Sequence, residues 1–161
     1  MFAKPQKEHE WLQKLIGEWT FEAECDMGPD QPKTKHGGTE HVRSLGGLWI
    51  VADGKGPMPD GEGEANMMLT LGYDPEKKCY VGSWVGSMMT NMWTYKGHIN
   101  DAGTTLTLET EGPNMMEPGK TARYREAIEF NNNDHRVFTS SAQGPDGKWV
   151  TFMTCHYRRT K

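Results

Sequence analysis

From Gly17 onward the chain alternates. In GEWTFEAECDM, Trp19, Phe21, Ala23 and Cys25 fall on one side and Glu18, Thr20, Glu22 and Glu24 on the other. A two-residue period is the mark of a half-buried antiparallel strand, because successive side chains of a strand point to opposite faces. Comparable segments follow at about 36–45, 48–54, 64–73, 78–86, 90–98, 104–110, 121–131, 135–142 and 148–158. The breaks between them carry turn chemistry: DPEKK at 74–78, NDAG at 100–103, NNND at 131–134 and PDGK at 145–148. Breaks this short make neighbours in sequence neighbours in space. Two longer ones, at 28–35 and 55–64, hold Pro and Gly and are candidate lids. An open sheet of about ten strands would leave two unpaired edges, and closure removes them. The expected fold is therefore all-β: an antiparallel meander barrel of about ten strands. Alternation alone does not separate it from a two-sheet sandwich.

Ahead of the strands lies one short helix, predicted over about 6–16. Trp11, Leu12, Leu15 and Ile16 form a stripe at helical spacing, Pro5 suits the first turn, and Gly17 stops the run. No composition shift or repeat divides the 161 residues, so the expectation is one barrel domain over 1–161, with the helix first and strands over about 18–158.

Charge narrows the partners. Lys and Arg number 18 against 22 Asp and Glu, a net charge of −4, which argues against a protein that tracks nucleic-acid phosphates. The longest purely apolar stretch is five residues, Leu48–Ala52, too short for a signal peptide or a membrane span. Cys25, Cys79 and Cys155 are odd in number and widely spaced, without a CxxC, and read as reduced thiols packed inward in a cytoplasmic protein. The sequence leaves oligomer formation open.

Candidate chemistry is sparse. The six histidines do not converge in any pattern a zinc site needs, and His9 falls on the polar side of the helix. His156, in the last strand, carries a haem-binding alternative. The eleven methionines read as adaptable filler of a core or a cavity wall. GKG at 54–56 and HGGTEH at 36–41 lack the strand–loop–helix setting of a phosphate loop. In GKTARYREAIEF, parity sets Tyr124, Glu126, Ile128 and Phe130 on one face, and the two apolar residues make that face the interior. A carboxyl there must be paired, neutralised or solvated, which makes Glu126 the polar landmark of any lumen. Trp84 and Trp93 are candidate wall residues. In the last strand Met153, Cys155 and Tyr157 oppose His156 and Arg158. Which set faces inward stays open, because Val150 and Phe152 share the parity of His156. Strand glycines such as Gly72, Gly82 and Gly86 are expected to leave space inside.

HEWLQKLIGEW, RSLGGLWIVADGKGPMP, LTLGYDPEKKCYVGSWVGSMMTNMW, LTLETEGP, GKTARYREAIEF and FMTCHYRR together resemble a bacterial family catalogued as domain of unknown function 1579, over about residues 8–159. The family is similar to calycin-type barrels, and lipocalin-like barrels place a Gly-x-Trp, here GEW at 17–19, after the N-terminal helix. The resemblance implies the barrel and brings no activity or catalytic residue.

The leading expectation is thus a binder of a small, mostly apolar molecule, without cofactor or metal and more a carrier than an enzyme, with Glu126, Tyr124, Trp84, Trp93 and Tyr157 as ligand contacts. The alternatives are a cofactor-free lyase or isomerase using Glu126 with Tyr124 or Tyr157, and haem binding through His156.

Overall fold

The computed structural model describes residues 2–26, 28–58 and 60–161. Met27, at the end of the first alternating segment, and Pro59, in the second long break, lie outside the described residues. Among the described residues one helix, α1 (Lys7–Gln13), precedes ten strands: β1 (Gly17–Cys25), β2 (Thr34–Leu45), β3 (Trp49–Pro57), β4 (Glu64–Asp74), β5 (Cys79–Gly86), β6 (Trp93–Ile99), β7 (Thr105–Pro113), β8 (Thr121–Asn132), β9 (His135–Gln143) and β10 (Trp149–Arg159). Each strand pairs antiparallel with its sequence neighbours, and β1 also pairs with β10, closing the barrel. The sandwich is thereby excluded.

The helix is shorter than its apolar stripe. After Gln13 the chain continues in tighter turns, Leu15 N–H to Leu12 C=O at 3.0 Å and Ile16 N–H to Gln13 C=O at 3.2 Å, until Gly17 turns into β1 at φ 138°. The stripe docks all the same. Leu12, Leu15 and Trp19 are sealed with Val42, Ile50, Leu71, Leu106 and Ile128 across one end of the barrel. Trp19 Nε1 donates to Leu15 C=O at 2.9 Å, tying strand to helix. The Arg159 guanidinium donates to the carbonyls of Ile16 and Lys14, filling acceptors that the helix end leaves open. His9 corrects the sequence reading. It is buried, its Nδ1 accepting from Gln6 N–H at 2.9 Å and its Nε2 donating to Tyr73 C=O at 3.1 Å. The helix lies on the barrel, so its polar side finds a strand carbonyl instead of water.

The face of β10 is settled by a bulge. Its register against β9 shifts between Thr151 and Met153. Beyond the bulge Cys155 pairs with Ala23 and Tyr157 with Phe21, so Met153, Cys155 and Tyr157 face inward. Phe152 no longer predicts the parity of His156, which is exposed.

Candidate functional site

Strand parity sorts the interior into two zones. Toward the helix the inward side chains are sealed. Toward the other end, inward side chains remain half-buried: Phe21, Leu69, Trp84, Trp93, Glu126, Phe138, Met153 and Tyr157. Inward direction with residual exposure means that open space adjoins them. The barrel is plugged by the helix at one end, and the half-buried inward side chains lie beyond that plug. At its mouth a cleft of about 680 Å3 is lined by Met115, Met116, Tyr124, Ala142, Val150 and Phe152.

Glu126 faces this interior, paired in register with Leu108 on β7 and Ser140 on β9. The partner of its carboxyl is neither Tyr124 nor Tyr157. The Tyr95 hydroxyl donates to Oε1 at 2.8 Å, reaching from β6 across β7. Burial pushes the Glu126 carboxyl up to about 7, and the Tyr95 hydrogen bond pulls more weakly the other way. Tyr95 itself is held far above the ordinary phenol range by burial and then by the neighbouring carboxylate. Sequence reasoning missed Tyr95. Its parity with Trp93 along β6 was the available signal.

Tyr124 is buried, and its hydroxyl is satisfied by Pro113 C=O at 2.7 Å. Its ring meets Trp93 edge-on at 5.1 Å and Phe152 at 6.2 Å. Trp93 leans over β7 because Gly112 lies beneath it, where a Cβ would overlap the indole. Trp84 faces inward beside Trp93 and fills the space over Gly86. These glycines make room for indole rings rather than for empty lumen. Gly72 faces outward against Trp49.

Tyr157 belongs to a second polar centre, one inward position beyond the plug residue Trp19. Arg136 and Glu40 form a buried ion pair, with the guanidinium 3.8 Å over the Tyr157 ring and 4.6 Å over Trp19. Burial raises the Tyr157 hydroxyl well above its ordinary range, the Glu40 charge adds to this, and Arg136 opposes it. Sequence reasoning missed this pair too, although Glu40 shares the parity of buried Val42.

His156 stands on the outer surface, 3.0 Å from His135 and stacked on it. It cannot present an axial ligand to the lumen, and the haem alternative falls with it. Among the described residues no group of three or more His, Cys, Asp or Glu is placed to hold a metal ion. Among the described residues no helix is long and apolar enough to cross a membrane. A polar furrow of about 740 Å3 follows the β1–β10 seam past Glu22, His156 and Arg158 and is also lined by Phe21 and Met153.

Fold and site together define a class: a closed up-and-down barrel, plugged by a helix at one end, with aromatic side chains and the Glu126 carboxyl turned inward beyond the plug. The chain belongs to the family described as "Protein of unknown function (DUF1579)", whose profile matches residues 4–159. No curated protein matches the chain. Among solved structures it is similar to Rv2717c from M. tuberculosis, at 10% identity and TM-score 0.61 over 98% of this chain and 100% of that one. It is also similar to the S-type phycobiliprotein lyase CPES from Guillardia theta, at 14% identity and TM-score 0.63 over 99% of each chain. At these identities the likeness is one of fold.

Proposed function

We propose that the barrel binds a small, mostly apolar molecule in its lumen, with Glu126 as the polar landmark and Trp84, Trp93, Tyr124 and Tyr157 as wall contacts. The observation that carries this reading is the row of inward yet half-buried side chains beyond the sealed core. Apolar walls with few polar groups are what small-molecule sites present, since burial gives affinity and the polar group gives orientation. The test is a titration with the neutral fluorescent probe N-phenyl-1-naphthylamine, following tryptophan quenching in wild type, Tyr124→Phe and Glu126→Gln. One saturable site, with affinity altered in the variants, is the expected result. The absence of a saturable site overturns the reading.

The raised carboxyl supports a second reading, a cofactor-free lyase or isomerase in which Glu126 moves a proton on a bound substrate while Tyr95 orients it. The Guillardia theta neighbour, by its name a lyase, has a barrel of this fold. Mass spectrometry of whatever co-purifies separates the two. A molecule released unchanged marks a carrier. A molecule converted by wild type and merely bound by Glu126→Gln marks an enzyme.

A further inference from the structure

Among the described residues two carboxyls, Glu40 and Glu126, face the interior of this barrel, and they are treated differently. Glu40 has a counter-ion in Arg136. Among the described residues no cationic side chain forms an ion pair with Glu126, and its one side-chain hydrogen bond comes from the neutral Tyr95 hydroxyl. The inward groups beside it in register, Leu108 and Ser140, are uncharged.

A second polar group in the same patch lacks a partner. Thr110 follows Leu108 inward along β7 and pairs in register with Tyr124. It is 9% exposed, and its Oγ1 is buried without a hydrogen-bond partner. Tyr95 and Trp93, on β6, lean across β7 to Glu126 and Tyr124 on β8. Thr110 and Gly112 lie in the strand between. The patch therefore combines a carboxyl without a cation, an orphan hydroxyl and three aromatic rings. The carboxylate and hydroxyl offer acceptors, and the rings offer faces of negative potential.

We infer that the lumen selects a ligand whose apolar body carries one protonated nitrogen, held by the Glu126 carboxylate and the Thr110 hydroxyl among the rings of Trp93, Tyr95 and Tyr124. The inference rests on lumen binding as proposed above and adds the chemical class of the ligand. An ammonium has three donors and no acceptor, so it satisfies the two oxygen groups together. A carboxylate-headed molecule would instead set two like charges together in a weakly screened interior. An alcohol would make the hydrogen bonds without the charge that strengthens them.

Three probes with one body and different heads test this: 4-phenylbutylamine, 4-phenylbutanol and 4-phenylbutyrate, titrated calorimetrically at pH 8, where the carboxyl is mostly ionised. The expected order is amine, then alcohol weaker by about tenfold or more, then the acid weakest. Glu126→Gln should remove the preference of amine over alcohol while leaving alcohol affinity within about threefold. Thr110→Val should weaken the amine more than the alcohol, and it reads the site with the carboxyl intact if Glu126→Gln fails to fold. Equal affinities for amine and alcohol, or tightest binding of the acid, overturn the inference and leave lumen binding standing. No saturable binding of any of the three overturns both.

Discussion

The Arg136 guanidinium lies 3.8 Å over the ring of Tyr157 while it pairs with Glu40 across the interior. Both charges are taken out of water, and each is tolerable because the other is there. Arg136→Ala or Glu40→Ala should therefore cost about 3–5 kcal/mol in urea unfolding, most of it from the charge left behind. Replacing both, as Arg136→Met with Glu40→Leu, should cost less than either single change. Additive losses in the double variant would show that the two residues act independently.

Stability should depend on pH through Glu126. Its carboxyl is raised in the folded protein from 4.5 to about 7, so between these values the folded state holds a proton that the unfolded state has lost. The contribution is largest below about pH 4.5, falls as pH rises through 7, and is constant above. Glu126→Gln has no such slope. Relative to wild type, the variant should gain on the order of 2–3 kcal/mol between pH 4 and pH 8. Parallel pH profiles in chemical denaturation would place the carboxyl in water.

Trp19 and Trp93 should separate stability from binding. Trp19 is 1% exposed in the plug and hydrogen-bonded to Leu15, so Trp19→Ala should cost about 3–5 kcal/mol. Trp93 is half-buried on the lumen wall, and Trp93→Ala should cost less while weakening the naphthylamine probe. A reversed order of the two unfolding free energies would mean that the plugged and open ends are misassigned.

The thiols should label in sequence. Cys155 is sealed against Ala23, and burial pushes its thiol up to about 12. Cys79 is sealed as well, though on the face opposite Tyr80, contrary to the inward placement its alternation suggested. Cys25 is half-buried near the end of β1. A thiol reagent followed by mass spectrometry should modify Cys25 first, and the other two only as the barrel opens. Rapid uniform labelling of all three would contradict this packing.

Much of the barrel wall was legible because its signal is local. The period of two in residues 17–25 puts Trp19, Phe21, Ala23 and Cys25 on one face, and the same rule turns Tyr124, Glu126, Ile128 and Phe130 inward, whatever the rest of the chain does. Short breaks with turn residues then make a meander. What alternation could not supply is who meets whom inside. Tyr95 reaches Glu126 from 31 residues away, and Arg136 reaches Glu40 from 96, because closure brings the inner faces of separate strands together. One extra residue in β10 cancelled the parity clue of Phe152 and sent His156 outward. Docking of α1 on the strands, rather than its own periodicity, buried His9. The alternation of the chain determined which side chains enter the barrel. Their pairing, and which of them keep open space beside them, was decided by strand register and closure, since these depend on contacts between segments that no local pattern records.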